Sequence, residues 1–243
     1  MSLRVFSRAF WKSFAFMTTA AYRVTAVAAL VVLAAFSTAR AQGTGQEFPP
    51  PQGKGRVVVL SSGMSGPAHY TEVAQEIAKL GYDVVLFDGN AEEHTHGDGV
   101  KAAIAQALTM PHALPGKVAL VGFSLGGGES LYYGPQWPDQ VAGIVAWYPA
   151  NAFIKNVPGF AERQQVPIVV FAGGKDNFRN GCCTAANDEA LQTASKTAGK
   201  SFDLIVYPDA NHDFVKGGAN YDGKAYDDAF QHMTSALATY LAQ

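Results

Sequence analysis

Val121-Gly122-Phe123-Ser124-Leu125-Gly126-Gly127-Gly128 follows directly on Lys117-Val118-Ala119-Leu120, an apolar run that reads as a buried strand. A strand, then Gly-x-Ser-x-Gly, then a helix describes a turn sharp enough to hold a serine hydroxyl out at the strand end. Gly122 and Gly126 keep bulk away from the serine backbone. A helix opening at Leu125 aims that residue's N–H, and the positive end of the helix dipole, at an approaching oxygen. The same letters also fit a glycine-rich strand-to-helix corner without chemistry. The choice rests on whether the remaining chain supplies a base, an orienting acid and a second oxyanion donor.

Outward from this stretch the chain alternates. Apolar, β-rich runs occur at Arg56–Ser61, Asp83–Asp88, Lys117–Phe123, Val141–Trp147, Pro167–Gly173 and Phe202–Tyr207. They are continuous rather than alternating, which suits parallel strands covered on both faces. Helical spacing appears between most of them. Tyr70–Leu80 stops at Gly81, Val100–Met110 stops at Pro111, a third helix runs from Asn187 towards Gly199, and Tyr226–Ala242 closes the chain. The pattern predicts a doubly wound α/β fold, a mostly parallel sheet with helices on both faces. Sites in such sheets gather at the carboxyl ends of the strands. Only about 20 residues separate Trp147 from Pro167, too few for an inserted lid domain.

Each of the other strand ends can be searched for partners to Ser124. His212 stands just beyond the last strand, in Tyr207-Pro208-Asp209-Ala210-Asn211-His212, and Asp176 follows the strand ending at Gly173. Taken singly, each is more often an ordinary loop residue. Together they give the order Ser…Asp…His, with an imidazole able to accept the serine proton and a carboxylate able to fix its tautomer. Ser61-Ser62-Gly63-Met64-Ser65-Gly66 follows the first of the six strands, and the Met64 N–H is the candidate second oxyanion donor beside that of Leu125. Trp147, Tyr148, Phe153, Phe178 and Phe214 fall near strand ends and are expected either as pocket walls or as core.

With these residues in place the chain resembles the α/β-hydrolase superfamily, and within it the dienelactone hydrolase-like family. The likeness is carried by Gly122–Gly127, Gly174-Lys175-Asp176, and Tyr207-Pro208 followed by His212-Asp213-Phe214, and it spans about Arg56 to Leu241. Ser124 stands where the family's namesakes carry cysteine, and Ser61–Gly66 lacks the glutamate they place there. The resemblance therefore implies serine-based hydrolysis of small carboxylic esters or lactones, without a metal or organic cofactor. A thioesterase or peptidase would use the same three residues, and a non-catalytic binding protein could keep the scaffold.

The first 41 residues contain Arg4, Arg8, Lys12, Arg23 and Arg40 and no acidic residue. An apolar stretch runs from Val24 to Phe36, and Ala39-Arg40-Ala41 offers a cleavage site. This is the layout of a secretory signal peptide over residues 1–41, with Met17 as an alternative start and a membrane anchor as the rival reading. The expectation is export to the periplasm or medium, with no stable membrane insertion after cleavage. Residues 42–55, with Pro49-Pro50-Pro51, read as a stiff lead-in to a domain over 56–243.

Without the leader, 13 basic residues face 20 acidic ones, a net charge of −7 that argues against a nucleic-acid partner. The two cysteines, Cys182 and Cys183, are adjacent. They form either a vicinal disulfide or two packed thiols, and the thiols are the expected state. Glu92-Glu93-His94-Thr95-His96-Gly97-Asp98 carries metal-ligand types but reads as a solvated loop, since no distant third ligand can be named.

Overall fold

The computed structural model describes residues 44–242; the basic leader, its cleavage site and Met17 lie outside the described residues. Seven strands form one sheet. They are β1 (Gln46–Phe48), β2 (Val57–Ser61), β3 (Asp83–Phe87), β4 (Val118–Phe123), β5 (Val141–Trp147), β6 (Ile168–Gly173) and β7 (Phe202–Tyr207). Their spatial order is β1-β3-β2-β4-β5-β6-β7. Every neighbouring pair is parallel except β1 with β3. All six runs anticipated from their apolar character are strands, with ends shifted by no more than one residue.

Between and after them lie α1 (Thr71–Lys79), a short α2 (Gly89–Glu92), α3 (Asp98–Ala107), α4 (Ser124–Tyr133), α5 (Val157–Arg163), α6 (Ala185–Thr197) and α7 (Gly223–Tyr240). Alternate residues of each strand feed two apolar layers, as the period of two in a pleated strand requires. On one face Val58, Leu60, Val121, Val145 and Phe171 pack with Val73 and Ile77 of α1 and Met233 and Leu237 of α7. On the other, Val57, Val59, Leu120, Ile144 and Val170 pack with Val100 and Ile104 of α3, Leu131 of α4, Phe160 of α5 and Leu191 of α6. With both faces covered, the strands have to be apolar along their whole length.

Two elements differ from expectation. The Pro-rich segment read as a lead-in contributes β1, which pairs Gln46, Glu47 and Phe48 with Leu86, Val85 and Val84. Phe48 is buried there against the α1 side of the sheet. Three residues are too few to show a period, and the prolines that follow end the strand. The second is α5, in the interval after β5. Asn156 caps it by accepting from the Gly159 N–H at 3.0 Å. Its Pro158 falls within the first turn, where the missing N–H costs nothing.

The connection from β2 goes outward to β3, and the chain then returns to place β4 on the other side of β2. Loops after β2 and β4 therefore diverge, leaving a crevice at their carboxyl ends. Ser124 begins there.

Candidate active site

Ser124 has φ of 49°, a left-handed conformation rare outside glycine. The turn is closed by contacts that only glycine permits. A Cβ on Gly122 would lie 2.4 Å from the Gly126 oxygen, and one on Gly126 would lie 2.6 Å from the carbonyl oxygens of both Ser61 and Ser62. The loop after β2 thus sits directly on the first turn of α4, tied by Gly126 N–H to Ser62 O at 3.1 Å.

His212 and Asp176 come to this turn from two other strand ends. The Ser124 Oγ lies 2.9 Å from His212 Nε2, and His212 Nδ1 lies 2.7 Å from Asp176 Oδ2. The carboxylate side chain is fully buried, and its Oδ1 accepts from the Phe178 N–H at 3.0 Å. Asp176 can accept but not donate when ionised, so Nδ1 carries the proton and Nε2 offers its lone pair to the serine hydroxyl. Backbone bonds hold the two loops against each other: Gly174 N–H to Tyr207 O at 2.8 Å and Lys175 N–H to Ala210 O at 2.9 Å. Asn220 Nδ2 donates to the His212 carbonyl at 2.8 Å.

The loop after β2 stands across from the serine. A Cβ added to Gly63 would lie 3.1 Å from Ser124 Cβ and 2.4 Å from the Tyr70 hydroxyl. The Ser62 N–H is engaged by Phe87 O. Met64, exposed at the rim, follows Gly63. Leu125 occupies the first turn of α4, whose N–H groups have no intrahelical acceptor.

Among the aromatic candidates, only Phe178 lies against the serine–histidine pair and is open to solvent. Its ring stacks on the His212 imidazole, with centroids 4.4 Å apart and planes 4° from parallel, and it is 38% exposed. Trp147 and Phe214, expected as pocket walls or core, are core: both are fully buried and contact each other. Their side chains point into the layer beneath the strand ends, where Tyr226 of α7 covers Trp147.

Tyr148 is also fully buried and is not a pocket wall. It meets His212 edge-on at 4.8 Å and directs its hydroxyl to Asp213 Oδ1 at 3.4 Å. Burial pushes the titration of both Tyr70 and Tyr148 up, so both remain neutral phenols. Phe153 is exposed but packs on Tyr132 of α4.

Three features carried too little sequence signal to be settled. His69, which no motif singled out, bonds Asp213 at 3.0 Å beside the site. The acidic loop after β3 is only partly solvated: Glu93, His94 and His96 are exposed, but Glu92 is buried. Its Oε1 accepts from the Ser61 hydroxyl at 3.0 Å, while Oε2 has no partner. Burial, opposed by that hydrogen bond, pushes the Glu92 carboxyl up to about 8, and burial pushes neighbouring Glu129 up to about 7.

The third is a correction. Cys182 and Cys183 are joined as a vicinal disulfide rather than standing as thiols. Backbone bonds present the pair in one fixed loop. Cys182 O accepts from Asn151 and Ala152, and Cys182 N–H donates to Phe178 O. Among the described residues, the metal-ligating side chains that converge are Asp176, Cys183 and His212, with no contribution from the His94–His96 loop.

This geometry, on this sheet, is that of an α/β-hydrolase, and comparison with known proteins places it within that class. The profile of the Dienelactone hydrolase family matches residues 88–241. The chain belongs to the dienelactone hydrolase family, and it is thereby a hydrolase of ester type acting on small molecules. It is 25% identical over 218 residues to a candidate carboxymethylenebutenolidase of Synechocystis sp., covering 76% of this chain and 86% of that protein. The fold is similar to that of a candidate dienelactone hydrolase from Klebsiella pneumoniae, with TM-score 0.69 and 19% identity over 81% of this chain and 92% of the other. A dienelactone hydrolase-like promiscuous phosphotriesterase from metagenomic libraries gives a TM-score of 0.66 at 19% identity, again over 81% and 92%.

Proposed function

We propose that the protein is an exported serine hydrolase that cleaves small carboxylic esters or lactones through an acyl-enzyme on Ser124. The observation that carries this reading is the unbroken hydrogen-bonded chain Ser124–His212–Asp176 at a left-handed turn. His212 Nε2 takes the hydroxyl proton as Oγ attacks the substrate carbonyl, and Asp176 stabilises the imidazolium that forms. The N–H groups of Leu125 and Met64 receive the oxyanion, with the dipole of α4 adding positive potential. That the Ser62 N–H is already engaged supports the part of the loop beyond it, with Met64, as the source of the donor.

His212, now protonated, returns the proton to the leaving alcohol. It then draws a proton from water, whose oxygen attacks the acyl carbon and releases the acid. Phe178, flat on the imidazole and half open to solvent, is the side chain placed to touch substrate.

Export is supported by the Cys182–Cys183 bond, since disulfides persist in oxidising compartments. No helix among the described residues is long and apolar enough to cross a membrane. The test of the activity is turnover of p-nitrophenyl acetate by the wild-type chain and by Ser124→Ala. The substituted protein is expected to fold and to lose hydrolysis. Wild-type turnover by Ser124→Ala would end the assignment.

A further inference from the structure

The loop that carries Asp176 also carries the disulfide, and the hydrolysis described above makes no use of it. One ligand atom each of Asp176, Cys183 and His212 lie within 4.8 Å of one another, and all three residues are buried. In the disulfide, the Cys183 sulfur is no metal ligand, because it is the thiolate that binds metals. Cutting the bond would change that.

We propose that two-electron reduction of Cys182–Cys183 converts this cluster into a binding site for a soft divalent transition ion, typified by Zn²⁺, and that the bound ion switches hydrolysis off. The binding half stands on geometry alone; the inhibition rests on the roles proposed above for His212 and Asp176.

The reductant is a small dithiol. Its thiolate attacks the sulfur of Cys182, the less buried of the pair, which breaks the S–S bond and forms a mixed disulfide while Cys183 leaves as a thiolate and is protonated. The second thiol of the reductant then displaces Cys182. The reductant is oxidised to its cyclic disulfide, and the protein keeps two electrons and two protons as two thiols.

Binding of Zn²⁺ next expels the Cys183 proton. The resulting set, one thiolate, one imidazole and one carboxylate, suits zinc in ligand type. Its two negative charges balance the dication where the side chains of Asp176 and His212 are 0% and 9% exposed. Zinc holds such donors at about 2.0–2.3 Å, so the three must close by roughly 1 Å. Release from Cys182 gives Cys183 that freedom. The Cys182 thiolate or water can fill the fourth position.

A neutral imidazole has one lone pair. If the metal takes it at Nε2, none is left for the serine proton. If the metal displaces Asp176 at Nδ1, the remaining ring proton moves to Nε2, which then cannot accept. Either way Ser124 loses its base.

The test uses the purified mature chain, oxidised or reduced with dithiothreitol and then freed of it anaerobically. Zn²⁺ binding is read by competition with a chromophoric chelator and ester turnover in parallel. The reduced protein is expected to bind one Zn²⁺ per chain at least about a hundredfold more tightly than the oxidised protein, with loss of turnover that a chelator reverses. Cys183→Ser should lose the tight binding under the same reduction while keeping metal-free turnover. Equal binding by the oxidised and reduced forms, or tight binding retained by Cys183→Ser, would overturn the proposal. Absence of turnover in every form would overturn the hydrolase reading instead, and tight binding confined to the reduced form would still support the site.

Discussion

The convergence of Ser124, His212 and Asp176 was legible in the sequence because Ser124 directly follows β4 and the other two sit shortly past the ends of β6 and β7, where the fold itself brings strand ends together. The distances of 2.9 and 2.7 Å give that expectation its geometry. If Asp176 fixes the tautomer of His212, Asp176→Asn should fold normally and lose about 10⁴-fold in kcat, with KM little changed. A loss confined to KM would assign Asp176 to binding instead. Glu92 was not legible, since nothing in a run of acidic and histidine residues says which one turns inward. Its burial has a consequence for stability. The folded protein holds the Glu92 proton up to about 8, against an ordinary value of 4.5. Between those values the native state binds more protons than the unfolded one, so stability falls as pH rises through that window. Glu129 acts in the same direction up to about 7. Glu92→Gln keeps the neutral shape. It should change the urea midpoint little near about pH 5 and raise stability by a few kcal/mol, in order of magnitude, near about pH 9. An equal effect at both pH values would contradict this.

At the scale of elements, long continuous apolar runs were read correctly because a strand covered on both faces leaves no other pattern. Short pieces were not. The three residues of β1 owe their place to pairing with β3 and to the burial of Phe48, which are tertiary facts. Phe48→Ala should therefore cost on the order of 3 kcal/mol of unfolding free energy and leave kcat near wild type, because β1 is at the sheet edge far in order from β4. A neutral effect would mean that β1 adds nothing to the core. The turn at α4 predicts the opposite balance. An added methyl in Gly126→Ala would press on the Ser61 and Ser62 carbonyl oxygens, with a cost of about 1–3 kcal/mol. Since that contact seats the loop proposed to carry the Met64 donor, turnover should fall by a larger factor than stability accounts for. Assays well below the melting temperature separate the two.

In the described residues one sheet lies between two layers of helices, the candidate site stands at the carboxyl ends of its strands, and the segment between β5 and β6 adds only the short α5. With no larger cover there, acetyl and butyryl esters should be cleaved faster than dodecanoyl esters, without a jump in rate at a lipid surface. Strong interfacial activation would contradict that arrangement. Fold class was readable from alternation alone, whereas the spatial order of the strands and the state of Cys182 and Cys183 were not, the latter because adjacency in sequence permits either the bond or two thiols. The central claim is that Ser124 is the nucleophile. A fluorophosphonate reagent tests it by forming a stable adduct on an activated serine, located by mass spectrometry of the digested protein. The account predicts one adduct per chain, on the peptide containing Ser124, abolished by Ser124→Ala and formed in step with loss of esterase activity. Full inhibition with the adduct on another residue, or full activity with Ser124 modified, would contradict it.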